Sequence, residues 1–173
     1  EKMIAGNTVN STLELLGFLD GIGVPYTRLG SVLTLNPGME LLDEAAIRSE
    51  LQHLVSELQM STLDLEIHRV TQSTNDVVMQ RLVERQSTAI LCAAEMQTAG
   101  KGRRGRQWIS PFGRNVYLTY GRFIGRQLSE LGGLSLVVGM VVVDVLRAMG
   151  LEGVGLKWPN DILLGGGKLG GIL

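Results

Sequence analysis

Apolar residues recur at helical spacing twice in the first third of the chain. Over residues 8–20, Leu13, Leu16 and Leu19 define one apolar face. Thr8 or Asn10 is placed to cap that helix, and Gly21 and Gly23 stop it. Over residues 41–59, Ile47, Leu51, Leu54 and Leu58 repeat at helical steps behind Asp43, a good N-cap. Between these helices, VPYTRLGSVLTLNP reads as two short strands turning around Arg28–Ser31, ended by Pro37 and Gly38.

From Leu63 the pattern changes. LDLEIHRV alternates apolar and polar residues, as a strand does. Ser73-Thr74-Asn75-Asp76 is a capping cluster for a helix over about residues 75–85 that turns Val77, Val78 and Leu82 inward. STAILCAAEMQ is continuously apolar and predicts a strand buried on both faces. Residues 97–106 read as loop, Asn115–Arg122 as strand and Ser129–Met149 as a long helix. Val154–Trp158 and Asp161–Leu164 are short strands around a turn, and Lys168–Leu173 starts another. Strands and helices mix without the regular alternation of a doubly wound sheet, so the expected class is α+β, a mixed sheet with helices against one face. The longest apolar stretch, Leu134–Leu146, is broken by Ser135, Gly139 and Asp144. It is too short to span a bilayer and predicts a buried helix, with no membrane partner.

Composition sharpens this division. Of 173 residues, 45% are hydrophobic and 19% charged, the make-up of a chain that buries a core. Glycine is the outlier at 23 residues, of which residues 1–99 hold six and residues 100–173 hold seventeen. Charge divides in the same way. Residues 1–95 carry 13 acids and 6 bases (−7), whereas residues 96–173 carry 4 acids and 10 bases (+6). Between Glu95 and Glu130 stand seven Arg or Lys and no acid, a stretch suited to phosphate or carboxylate. Cys92 is the single cysteine, reads as a packed core thiol and fits a reducing cytosol. The first residues have no apolar signal-peptide core, and the bare Gly-Gly-Ile-Leu end reads as a chain cut in mid-strand.

Three motifs carry the candidate chemistry. In QTAGKGRRGRQW (97–108), Gly100, Gly102 and Gly105 interleave with Lys101, Arg103, Arg104 and Arg106. Glycines let backbone N–H groups approach an anion, and guanidinium forks grip carboxylate or phosphate at two points. Neighbouring cations repel by about 1 kcal/mol at 4 Å even in bulk water, so the empty loop is expected to be mobile and ordered by an anionic ligand. By composition alone, an arginine-rich nucleic-acid loop or a solvated surface loop is the leading reading, and the second motif shifts it. The pattern is neither GxxxxGK[ST] nor the dinucleotide fingerprint. In KWPNDILL, Lys157, Asn160 and Asp161 surround a Trp158-Pro159 turn, where an acid can orient an arginine or meet a magnesium ion on phosphate oxygens. Lys168 follows three glycines as a phosphate contact. In TQSTND, Ser73, Thr74 and Asn75 sit at a strand-to-helix junction, where a cap can also face a ligand. His53 and His68 are separated, and with one cysteine they supply no protein metal set.

Taken in order, the Ser-Thr-Asn turn, QTAGKGRRGRQW with SPFGRNVYLT, then KWPNDILL and KLGGIL resemble the biotin protein ligases over residues 63–173. The similarity is greatest to the bifunctional bacterial form that doubles as a biotin repressor. The resemblance implies a class II synthetase-like catalytic domain, incomplete at its C-terminus. Upstream it implies a partial winged helix over residues 1–38 and a linker helix over 39–62. It further implies synthesis of biotinyl-5′-AMP from biotin and ATP with Mg2+, then transfer of biotin to a lysine of a biotin carboxyl carrier protein. Ser73, Thr74, Asn75 and Gln97 would meet biotin, with Gly100, Lys101, Arg103 and Gly105 of the loop folded over it and Lys168 at the α-phosphate or biotin's carboxylate. Arg103, Arg104, Arg106, Trp108, Lys157, Asn160 and Asp161 would serve the adenylate. Arg103, Lys168 and Asp161 would carry catalysis, in a cytoplasmic enzyme whose oligomeric state, homodimer included, stays open. Gln72 and Lys101 stand where the family often has Asp and Arg, and Lys101 keeps the charge but loses the fork. A biotin-responsive repressor and a lipoate ligase are the alternatives. The helix over 8–20 contains no Lys or Arg, which argues against operator DNA as a partner.

Overall fold

The computed structural model describes residues 8–10, 13–35, 40–55, 60, 62–85, 89–125 and 131–173. They divide into two compact units: residues up to Lys101 together with Gly105–Phe123, and Gly102–Arg104 together with Ile124–Leu173.

The first unit opens with β1 (Thr8–Asn10) and α1 (Leu13–Ile22). Thr8 and Asn10 lie in β1, and the helix expected over residues 8–20 begins at Leu13. Leu13 is 86% exposed, and the face that packs is Leu15, Leu16, Leu19 and Ile22. Gly21 remains helical, and Gly23 alone ends the helix, at φ +69°. The Val24 N–H donates to Leu19 O (3.0 Å) and the Gly23 N–H to Asp20 O (3.2 Å), a Schellman closure. It brings Val24 back onto Leu19 in a core with Leu33. The expected hairpin forms from β2 (Tyr26–Leu29) and β3 (Val32–Leu35), with Gly30 at φ +61° in its two-residue loop. β1 adds antiparallel to β3, giving the order β1-β3-β2. Helix α2 (Glu44–Leu54) is capped by Asp43, whose carboxylate accepts from Ala46 N at 3.0 Å. Ile47 and Leu51 are half-buried and Leu54 is 78% exposed, while Leu58 lies outside the described residues.

The sheet that carries the first motif has the order β4-β5-β6: β4 (Leu63–His68), β5 (Ala89–Ala94) and β6 (Tyr117–Arg122). β4 and β5 are parallel and β5 and β6 antiparallel, the mixed sheet expected of the α+β pattern. Helix α3 (Thr74–Arg85) lays Val78 and Leu82 on Ile90 and Cys92. Gly121 makes room for it, since a Cβ there would stand 2.2 Å from Val78 Cγ1. Cys92 is fully buried, and burial pushes its thiol up to about 11. Phe112 and Met96 reach the α1–hairpin core, so the N-terminal elements and this sheet share packed residues.

The second unit is α4 (Leu134–Ala148) on one face of β7 (Val154–Lys157), β8 (Asp161–Leu164) and β9 (Gly167–Gly171), an antiparallel meander. Val143, Val154 and Ile162 form its core, with Val142, Leu146, Leu156 and Ile172 packed on them. The buried helix expected from the apolar run is a one-sided helix instead. Only Gly139 and Val143 are buried in α4, and Val137, Met140, Val141 and Val145 are exposed. Three strands in one layer cover a single stripe of the helix and leave the rest uncovered. Gly165 (φ +58°) and Gly166 (φ +82°) form the β8–β9 turn, a two-residue connection with both residues left-handed. No helix among the described residues is long and apolar enough to cross a membrane.

Candidate functional site

The sequence-predicted residues fall into two clusters, one in each unit. The first forms where β4 and β5 run out in parallel. Beyond the strands, Thr71 N donates to Met96 O (3.1 Å), and Thr98 N and Ala99 N donate to Thr71 O and Gln72 O (2.9 and 2.8 Å). This closure sets Gln97 beside the start of α3. Gln97 Oε1 accepts from Thr74 N (2.9 Å) and Thr74 Oγ1 (3.1 Å), and Gln97 Nε2 donates to Ser110 Oγ (3.1 Å). Thr74 Oγ1 also pairs with Thr119 Oγ1 at 2.8 Å. Thr74 and Gln97 therefore engage each other directly.

Ser73 differs from both. Its carbonyl accepts from Val77 N (3.1 Å), which makes it the backbone N-cap of α3. A capping serine ordinarily turns its hydroxyl onto the next turn's N–H groups. Here Ser73 is fully buried and its Oγ has no hydrogen-bond partner, alone in this among the buried side chains described. An unmet buried hydroxyl costs about 1–3 kcal/mol, so this atom sets Ser73 apart from the bonded polar groups around it. Asn75, in the first helical turn, is half-buried.

The glycine loop leaves this cluster through a backbone clasp. Trp108 N donates to Gly100 O (2.8 Å), Ser110 Oγ donates to Trp108 O (3.2 Å), and Lys101 and Gln107 form a bridge. Gly100 is obligatory, because a Cβ would stand 2.5 Å from Trp108 O and 2.6 Å from Ser110 Oγ. Beyond the clasp, Arg103–Gly105 is a single short turn in which Arg104 (φ 59°) and Gly105 (φ 71°) are both left-handed. The cations do not stand unopposed, as the loop's own sequence suggested. Lys101 Nζ makes an ion pair with Asp76 Oδ1 on α3, an acid from outside the acid-free stretch. Arg104 and Arg106 are exposed, and Trp108 is half-buried.

The second cluster lies at the β7–β8 turn and the face of the meander opposite α4. Arg103 Nη1 donates to Asn160 Oδ1 (3.3 Å), and Asn160 Nδ2 donates to Ile172 O (2.6 Å). Asn160 thus ties the loop to the turn, the role the sequence suggested for Asp161. Asp161 instead accepts from Lys168 Nζ at 2.7 Å. Lys157 is its cross-strand neighbour, and Lys168 lies opposite Leu163, two residues on from Asp161. The pleat therefore puts Lys157, Asp161 and Lys168 on one face, away from the Val154–Ile162 core. A carboxylate flanked by two lysines leaves net positive charge there. The described residues contain no group of three or more His, Cys, Asp or Glu able to hold a metal ion.

The sequence matches the Biotin/lipoate A/B protein ligase family over residues 67–173. The chain belongs to that family. It is 39% identical over 148 residues to the bifunctional ligase/repressor BirA of Salmonella typhimurium, which covers 86% of this chain and 43% of that protein. It is 36% identical over 137 residues to the biotin–[acetyl-CoA-carboxylase] ligase of Mycobacterium tuberculosis, covering 76% of this chain and 50% of that one. The chain thus spans half or less of the length of these relatives. Biotin protein ligase from Leishmania major in complex with biotinyl-5-AMP superposes with TM-score 0.52 at 30% identity, over 64% of this chain and 51% of that one. The Aquifex aeolicus ligase in complex with biotin and ATP gives 0.50 at 31%, over 64% and 45%.

Both clusters lie within the family match, and so do residues that sequence reasoning passed over. Thr119 is one polar position in an edge strand, and Ser110 precedes a proline; neither carries a local signal. Glu95 is 3% exposed. It accepts from Leu42 N (2.5 Å) and Arg69 Nη1 (3.2 Å), and Arg69 also donates to Leu42 O (2.9 Å). An acid ending a run of apolar residues was a usable signal, since a carboxylate is buried only when it is bonded.

Proposed function

We propose that this chain forms the front part of the ligase domain of a biotin protein ligase. In this reading it makes biotinyl-5′-AMP from biotin and ATP, then passes biotin to a lysine of a biotin carboxyl carrier protein. The observation that carries the proposal is the buried, unpartnered Ser73 hydroxyl in a cluster whose other polar groups bond one another. A neutral ring with polar edges, such as the ureido ring, would give that hydroxyl a partner. Thr74 and Gln97, bonded to each other beside it, are the accompanying biotin contacts in this reading.

The chemistry brings two anions together. A carboxylate oxygen of biotin attacks the α-phosphorus, the bond from that phosphorus to the bridging oxygen breaks, and pyrophosphate leaves. ATP would bring Mg2+ on its phosphates, and Asp161 would serve that metal-nucleotide side. Arg103, Lys157 and Lys168 supply fixed positive charge for the carboxylate and α-phosphate, and Asn160 holds Arg103 in place. In the second step the carrier lysine's amine attacks the acyl carbon and AMP departs, so no protein nucleophile is needed.

We further infer the division into residues 1–38, a remnant of a winged helix, 39–62, a linker, and 63–173, ligase, in a cytoplasmic protein. Helix α1, LELLGFLDGI, carries no cation, so we assign ligation and not operator binding to this chain. Isothermal titration of Ser73→Ala against the parent tests the reading. Biotin affinity should fall about tenfold for a lost buried hydrogen bond, while the ligand-free variant should be as stable as the parent or more so. Biotin binding unchanged by the substitution, or heat from lipoate and none from biotin, would refute it.

A further inference from the structure

We propose that Asp76 is a specificity-determining residue that competes with the ligand's carboxylate for Lys101. The inference rests on the biotin-ligase reading and adds to it a residue that discriminates anionic from neutral ligands. Lys101 is the first cation of the glycine loop, one residue beyond Gly100, which is packed against Gln97 and Ser110. Asp76 lies in the first turn of α3, three residues from Ser73, whose buried hydroxyl has no partner. Their ion pair therefore links the two segments that border the Ser73 cluster, the helix start and the loop. Both side chains are about half exposed, at 49% and 47%. Such a pair is weak and exchangeable. It is strong enough to hold Lys101 when no other anion is present and weak enough to yield to one.

Three consequences follow from that arrangement. The loop is partly neutralised when empty, by an acid that its own sequence lacks. A ligand with a carboxylate displaces Asp76 from Lys101 and meets an opposing cost. A ligand of the same shape without charge leaves the pair intact and meets no such cost.

The test is calorimetry of the parent and of Asp76→Asn with two probes, biotin and its alcohol, which keeps the rings and replaces the carboxylate with a hydroxymethyl group. Asp76→Asn should bind biotin about two- to fivefold more tightly and the alcohol no differently, because only the anion competed. Asp76→Glu, which keeps the competitor, should return biotin affinity toward the parent value. In the ligand-free variant, trypsin should also cut the loop faster than in the parent, a readout that needs no ligand. Equal shifts for both probes would mean that Asp76 shapes the pocket generally, and weaker biotin binding would make it a support; either result overturns the proposal. If the parent binds neither probe while trypsin still separates the two proteins, the biotin reading fails and the ion-pair latch stands.

Discussion

Ser73 and Gly100 show how much of this site rests on single atoms. Ser73 keeps a hydroxyl inside the protein with nothing to bond, while the groups around it are satisfied. Gly100 has the opposite property: an added methyl would collide with backbone oxygen and a buried hydroxyl, neither of which can move without opening the loop clasp. Gly100→Ala should therefore cost about 1–3 kcal/mol of stability, read from urea unfolding, and should weaken biotin binding as well. A variant with parental stability and affinity would show that the clasp yields freely. Arg103 is the contrasting case, an exposed cation held by one bond to Asn160. Arg103→Ala should leave stability within about 0.5 kcal/mol of the parent. It should slow biotinyl-adenylate formation about a hundredfold, read by pyrophosphate release in the enzyme that carries this sequence. Parental rates would remove Arg103 from the chemistry.

Among the elements, β5 was the most legible and α4 the least. Six consecutive apolar residues suit a strand buried on both faces, and Ala89–Ala94 is one, with Cys92 at its middle. The protonated thiol is favoured by that burial. Between its ordinary 9.0 and its folded value of about 11, the unfolded chain has released a proton that the fold still holds. Stability should thus be full below about pH 9 and fall as pH rises to about 11, by up to about 2 kcal/mol. Urea midpoints across that range should fall more steeply for the parent than for Cys92→Ala, and parallel slopes would contradict the assignment. The α4 run looked equally apolar, yet its sheet has only one layer of three strands to offer, so a long apolar sequence became a helix with one packed stripe. The start of α1 was misplaced for a related reason. Thr8 and Asn10 suit a cap, but pairing with Val32–Thr34 across β3 draws them into a strand. A local cap contributes about 1 kcal/mol, and tertiary pairing overrides it.

Across the whole molecule, the asymmetry of glycine and charge misjudged how the loop's charge is balanced. Residues 96–173 hold the proposed anion-binding groups, yet Lys101 takes its counter-charge from Asp76, in the acidic part of the chain. Likewise the glycines before Lys168 serve a hairpin turn, and the lysine itself is held by Asp161. Phe112 and Met96 pack with Leu19, Val24 and Leu33, and Glu95 grips Leu42, so residues before and after the proposed linker share one core. By itself the sequence determined the mixed α+β class, most element positions, the Asp43 cap and the three motifs. All of these rest on periodicity, turn chemistry or residue type within a short window. Only the tertiary structure decided which polar groups answer one another: Thr74 with Gln97 and Thr119, Arg103 with Asn160, Lys101 with Asp76, and Ser73 with none. Those pairings join residues far apart in the chain, and satisfaction of a buried or charged group depends on what the fold brings within about 3 Å of it, which no local pattern encodes.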